Sequence, residues 1–199
     1  DAMNEMGDTF KVNVLEEAIN NKKKVVLFWY PKDFTFVCPT ELHAFEAAKA
    51  EFEKRNTVVI GASCDTPEVH FAWLSTAKDN GGIEGVTYPI LADSNRNLAS
   101  TLGILDISNE QYNEETGVVT VDGDNVTYRA TYIIDEDGVV QHESINNMPL
   151  GRNVNEYLRI VDALTHVQEK GEVCPANWEE GKDAMAPNAK GTAEYLATH

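Results

Sequence analysis

The chain has 199 residues, of which 42% are apolar, enough to bury a core and too many for global disorder. Acidic residues outnumber basic ones 33 to 16, a formal charge of −17, which sets the chain as a whole against nucleic acid and anionic membrane surfaces as partners. Three cysteines are too few and too odd in number for a disulfide scaffold, so a reducing, cytoplasmic setting is expected, in which a thiol that matters acts as a thiol.

Residues 1 to 10 are polar and begin without methionine, so no signal peptide is expected there, and the start is consistent with truncation or processing. No apolar run approaches the length of about 20 residues that a membrane helix needs. GxGxxG, P-loop and HExxH patterns are all missing, so neither cofactor nor metal is expected.

Val12 to Asn20 is predicted as a short helix, and the continuous apolar run Val25 to Tyr30 as a strand buried on both faces. A helix follows over Pro39 to Arg55, with Leu42, Phe45, Ala48 and Phe52 along one side. Thr57 to Ala62 is the next buried strand. Pro67 to Asn80 is predicted as one helix stopped by Gly81 and Gly82. Tyr88 to Leu91 is a short strand and Asn95 to Leu102 a helix. Val118–Val121 and Val126–Tyr128 flank Asp122-Gly123-Asp124-Asn125, a hairpin signal; Thr131–Ile134 and Val139–Glu143 flank a second. Asn153 to Gln168 is the last helix, with Asn153 and Glu156 spaced as a capping box. The order predicts an α/β open sheet, parallel units first and an antiparallel edge later, with helices on both faces. From about Glu169 the tail is the least structured-looking stretch.

Cys38 follows the loop after the first buried strand and begins a helix. Chemistry in open α/β sheets collects at the carboxyl ends of strands, and helix N-terminal amides favour a thiolate. Thr35 lies close enough for its hydroxyl to reach the sulfur or an oxygen bound there, and Pro31 and Pro39 stiffen the loop. Most lone cysteines are small buried core residues, and this location argues against that here. A metal site fails on spacing, because no His or Cys lies about two to four residues from Cys38, and His43 projects elsewhere. No CxxC dithiol exists, so a second thiol must come from far along the chain or from outside.

The run Tyr30-Pro31-Lys32-Asp33-Phe34-Thr35-Phe36-Val37-Cys38-Pro39-Thr40-Glu41 resembles the peroxidatic loop of the peroxiredoxins. Gly171-Glu172-Val173-Cys174-Pro175-Ala176-Asn177-Trp178 resembles the resolving-cysteine motif of the typical two-cysteine members, which include bacterial alkyl hydroperoxide reductase C-components. Gly61–Asp65, Val69–Trp73, Tyr132–Asp135 and Gly151-Arg152 are also similar, so the resemblance runs from about Lys24 to Trp178. It implies a thioredoxin-like fold, with a mixed central sheet over residues 1–168 and a C-terminal extension, 169–199, carrying the second cysteine. It further implies reduction of hydrogen peroxide and alkyl hydroperoxides. Cys38 would become a sulfenic acid, with Thr35, Pro31 and Arg129 around it and Glu41 and Arg152 in support. Cys174 of a second subunit would then close a transient disulfide. A homodimer, commonly a ring of five dimers, is implied, with a thioredoxin-like protein or a flavoprotein disulfide reductase as reductant. Cys64 matches neither motif and is read as structural.

Three features depart from the family. Residues 106–128 are longer than usual and are expected to hold an extra hairpin. Gly81–Gly85 resembles the loop of overoxidation-sensitive members, but Tyr195-Leu196 stands where those have Tyr-Phe. The family's first strand is largely missing before Met3. A chaperone-like assembly and a redox sensor relaying oxidation to partners are the alternative readings.

Overall fold

The computed structural model describes residues 2–3 and 8–199. In chain order they form β1 (Ala2–Met3), β2 (Thr9–Phe10), α1 (Val14–Ile19), β3 (Lys24–Trp29), α2 (Cys38–Lys54), β4 (Thr57–Ser63), α3 (Pro67–Leu74), β5 (Ile90–Ala92), α4 (Asn97–Thr101), β6 (Glu110–Asn113), β7 (Val118–Val121), β8 (Arg129–Ile134), β9 (Val140–Asn146), α5 (Val154–Lys170) and α6 (Ala189–Thr198). One sheet runs β2-β1-β5-β4-β3-β8-β9, and β6 with β7 makes a separate ribbon. The sheet is mixed: β3 pairs parallel with β4 and antiparallel with β8, β4 pairs parallel with β5, and β9 closes the far edge antiparallel to β8.

The unbroken apolar reading of β3 has a direct cause, because both of its faces are covered. Val26 and Phe28 pack in one core with Leu42, Phe45 and Phe52 of α2 and Val154, Tyr157 and Val161 of α5. Val25, Leu27 and Trp29 pack in the other with Ala18 of α1 and Ala99 of α4. Phe45 is the hinge pin of the first core: its ring stacks on Phe28 at 4.0 Å and on Tyr157 at 6.0 Å. These contacts fix the angle at which α2 leaves the sheet, and so the place of its first residue, Cys38.

Four expectations are corrected. The helix from Pro67 ends at Leu74, and residues 78–80 form only a single tight turn. The glycine loop folds back onto the helix end, where Ile83 N–H bonds Trp73 O and Glu84 N–H bonds Thr76 O. Gly82 passes so close that a Cβ there would lie 1.9 Å from the Thr76 carbonyl oxygen. The hairpin within 106–128 turns earlier than expected: β7 pairs with β6 across Glu114–Gly117, not with Val126–Tyr128. The Asn113 side chain accepts from the Glu115 and Thr116 amides, and Gly117 takes φ +68. The polar strand Glu110-Gln111-Tyr112-Asn113 carries no apolar alternation, so nothing in the sequence marked it. At the start of α5, Asn153 caps the Asn155 amide, but Glu156 pairs with Arg159 instead of returning to the cap. Finally, the tail is ordered: Val173 bridges Met185, Trp178 is buried, and α6 follows.

Truncating Phe45 removes the pin between β3, α2 and α5. Phe45→Ala should cost about 3–5 kcal/mol in denaturant unfolding, whereas Leu98→Ala on the exposed side of α4 should cost under about 1 kcal/mol. Similar costs for the two would show that the core does not rest on this stack.

Candidate active site

Cys38 begins α2 immediately beyond the loop that leaves β3, and its side chain is fully buried. Val37 precedes it in helical conformation and supplies no side-chain cap, and Pro39 offers no N–H. The positive charge at the sulfur comes from across the sheet. Arg129 opens β8, the strand beside β3, and its Nη1 stands 3.4 Å from Cys38 Sγ. The same nitrogen donates to Glu41 Oε2 at 2.6 Å, and Nε donates to the Met148 carbonyl at 2.6 Å.

Glu41 lies three residues after Cys38, one turn along the same side of α2. It also receives Arg152 through the backbone N–H (2.9 Å), Nε (2.8 Å) and Nη2 (2.9 Å). The remaining Arg152 donor, Nη1, reaches Ala130 O and Thr131 Oγ1. The guanidinium also lies over the Phe28 and Phe45 rings, 5.1 and 5.7 Å from their centroids. Burial alone would push the Glu41 carboxyl up, but the Arg152 hydrogen bonds and the charges of both arginines hold it below the usual carboxylate range. Two cations therefore share one anion in a site closed to water, leaving one positive charge uncompensated until the sulfur ionises.

The structure thus brings together Cys38, Arg129, Glu41 and Arg152. Other expected members stand apart. The Thr35 hydroxyl donates to Lys32 O at 2.8 Å, within its own loop, and not to the sulfur. Pro31 is buried at the loop's start, beside Cys64. Burial raises the Cys64 thiol to about 11, so it stays protonated, in keeping with a structural role. Cys174, in the tail beyond α5, is half-buried against that helix, its S–H toward Ala163 O at 3.7 Å; burial raises its thiol despite nearby Arg159. All three cysteines are free. His43 bonds the Gly82 carbonyl, away from the sulfur. Among the described residues no cluster of His, Cys, Asp or Glu is placed to hold a metal ion.

One buried cluster was not foreseen. Asp33, inside the loop, accepts from Tyr30 Oη at 2.7 Å and pairs with His70 Nδ1 at 2.7 Å, and its amide donates to Asp65 Oδ2 at 2.9 Å. Ser63 in turn donates to that Asp65 oxygen. A lone aspartate in a polar loop reads as solvated, and only the spacing of Asp33, Asp65 and His70 across three loop and helix ends, invisible in one dimension, makes them neighbours.

The comparisons with known proteins cover nearly the whole chain. The AhpC/TSA family model matches residues 3–143, and the model for the C-terminal domain of 1-Cys peroxiredoxin matches residues 163–198. The chain is 43% identical to Peroxiredoxin-2 of Bos taurus over 177 residues, covering 89% of this chain and 81% of the relative. It is 42% identical to alkyl hydroperoxide reductase C of Helicobacter pylori over 175 residues, covering 88% and 80%. The crystal structure of reduced Plasmodium vivax 2-Cys peroxiredoxin superposes with a TM-score of 0.86 at 37% identity, covering 98% of this chain and 92% of that one. The fold is thioredoxin-like, and with a buried thiol set against an arginine at the end of its central strand the chain belongs to the AhpC/TSA family: it is a peroxiredoxin, a thiol-dependent peroxidase of antioxidant defence.

Proposed function

We propose that Cys38 is the thiol that meets peroxide and Cys174 the thiol that resolves it. The observation that carries this is Arg129 Nη1 at 3.4 Å from the Cys38 sulfur. In the first step the thiolate attacks the terminal peroxide oxygen. The S–O bond forms, the O–O bond breaks, and the leaving oxygen departs with a proton as water or an alcohol. A guanidinium beside the sulfur stabilises negative charge both on the nucleophile and on the departing oxygen. Cys174 then attacks the sulfenic sulfur, the S–O bond breaks, water leaves, and a disulfide remains for an external dithiol to reduce.

Cys38 is buried and Cys174 is held against α5, so the pairing requires movement of the loop and of the tail over residues 169–199. The partner thiol is that of a second copy, which makes the homodimer the working unit and a ring of five dimers its larger form. Hydrogen peroxide and alkyl hydroperoxides are the substrates, and a thioredoxin-like or flavoprotein disulfide reductase in the cytoplasm is the reductant. No helix among the described residues is long and apolar enough to cross a membrane. Thr35 belongs to the substrate side of the loop, and Pro31 sets the loop's exit from β3.

Peroxide consumption coupled to a reductase should vanish in Cys38→Ser. In Cys174→Ser recycling should stop, yet a single burst of about one peroxide per subunit should remain, and the peroxide-induced linked dimer should be missing on non-reducing gels. A burst in Cys38→Ser would overturn the first assignment, and persistence of the dimer in Cys174→Ser the second. Arg129→Gln should slow the burst by about 100-fold while leaving the linked dimer able to form.

Glu41→Gln would leave two buried guanidiniums without a counter-charge, at a cost of about 3–5 kcal/mol in denaturant unfolding at neutral pH. The sign with pH follows from the lowered Glu41 value. Its stabilisation is complete above the ordinary carboxylate range and is lost as pH falls through the lowered one. The gap between wild type and Glu41→Gln should therefore narrow only in acid. A gap independent of pH would show that charge is not what Glu41 contributes.

A further inference from the structure

The ribbon of β6 and β7 belongs to neither core. It stands outside the seven-stranded sheet, and every residue of both strands is exposed. Its register opposes Tyr112 to Val119 and Glu110 to Val121, so these side chains share one face. On that face Tyr112 is 65% exposed, Val119 54% and Val121 43%. Threonine also suits strands, so an exposed ribbon needs no apolar face for its own sake.

A two-stranded ribbon standing alone is marginally stable in water. This one is held at both ends. At the tip the Asn113 side chain accepts from the Glu115 and Thr116 amides. At the base the Asp106 amide donates to Val126 O and the Asp122 amide to Asn109 O, while Arg96 donates to the Asp124 and Asn125 carbonyls. The base in turn meets the segment leading to Cys38: Thr127 Oγ1 donates to the Tyr30 carbonyl at 3.0 Å, and Lys32 Nζ to Asp124 Oδ2 at 2.6 Å. Arg129, whose guanidinium touches the sulfur, follows directly on Thr127 and Tyr128. The ribbon is thus an arm rooted beside the reacting thiol, with its apolar face bare.

The charge of the arm has one sign. Residues 106–128 hold six acids and no Lys, Arg or His. A second ribbon of the same chain would bring the same acids to the face, and like charges brought together repel. The complement is a surface with an apolar centre and a basic rim. The reaction calls for a visitor at this place, because the disulfide needs an external dithiol that arrives and then leaves. A small apolar patch inside a charged rim matches the size class of transient redox encounters. We propose that the β6–β7 ribbon is a docking arm for the protein dithiol that reduces the Cys38–Cys174 disulfide, and that this reductant meets it with a basic rim around an apolar centre. This deepens the reading of the two cysteines given above and rests on it. One thiolate of the partner attacks the disulfide, forming a mixed disulfide and releasing one cysteine. The partner's second thiol then displaces the other, so the partner leaves oxidised and both cysteines leave reduced. The ribbon holds the partner and exchanges no bond.

The test uses the full chain, oxidised by peroxide, and the purified thioredoxins and flavoprotein disulfide reductases of the organism that carries it. Dithiothreitol serves as a dithiol with no docking surface. In Tyr112→Thr/Val119→Thr/Val121→Thr the strands keep residues that favour them. The second-order rate constant with the protein that reduces wild type fastest should fall at least about tenfold, as loss of a central aromatic anchor does. With dithiothreitol it should not change. Glu110→Gln/Glu114→Gln/Glu115→Gln should flatten the fall of the protein's rate constant with added salt, and it carries the test if the threonine variant does not fold. Wild-type rate constants and salt dependence in the folded variants would overturn the proposal. So would an equal loss with dithiothreitol, or the absence of any protein that reduces a wild type which dithiothreitol reduces. A variant changed only in oligomeric state would assign the face to a second copy and overturn it as well. If peroxide leaves no Cys38–Cys174 disulfide in wild type, the cysteine reading itself fails, a result visible before any reductant is added.

Discussion

Two buried arginines share one carboxylate, and that imbalance organises the site. Arg129 and Arg152 together bring two positive charges to the foot of α2, and Glu41 returns one. An isolated buried ion is costly, and even a paired one gains stability only when its hydrogen bonds are complete. Here they nearly are: Glu41 accepts from both guanidiniums and from the Arg152 amide, and the leftover donors find Met148, Ala130 and Thr131. What remains is a single unit of positive charge pointing at the Cys38 sulfur. In a chain of formal charge −17 the long-range field cannot provide this, so it is produced within one turn of helix, one strand end and the segment just before α5.

The aromatic stack beneath the site belongs to the same constraint. Phe28 and Phe45 carry the Arg152 guanidinium on their faces while fixing α2 against β3. Packing and electrostatics are therefore not separable at this point. A shift of α2 would move Cys38 and Glu41 together relative to Arg129, which is anchored on a different strand.

How much of this the sequence disclosed follows from what each signal depends on. The buried strand 25–30 and the helix beginning at Cys38 were legible, because apolar periodicity is local, whereas the arginines at 129 and 152 came from the family resemblance alone. The break at Leu74 was not. The hydroxyls of Ser75 and Thr76 bond back to carbonyls four residues earlier, and the Gly82 loop folds over the helix end, neither of which leaves an apolar period to read. The turn at Glu114–Gly117 was missed because its first strand is polar throughout. Spacing alone places Thr35 within reach of the sulfur, but its hydroxyl donates to Lys32 O within the loop. The Asp33–His70 pair escaped for the opposite reason: both residues lay in plain sight, but a pairing across 37 positions leaves no periodic trace.

The loop is touched from two sides, and magnitude decides which side holds it. The ribbon region reaches it through Lys32 and Asp124 at 2.6 Å, but these side chains are 44% and 64% exposed, and such pairs add little to stability. Arg96 fixes the Asp124 and Asn125 carbonyls, which steadies the ribbon's base and not the loop. On the inner side, Asp33 makes three polar contacts with no access to water, each of which would leave a buried group unsatisfied if broken. The inner contacts of Asp33, with the buried Thr127 hydroxyl on the Tyr30 carbonyl at the loop's base, therefore hold the loop more firmly than the exposed pair does. The segment that leads from β3 to Cys38 is thus anchored by the buried aspartate behind it more than by the charged surface in front.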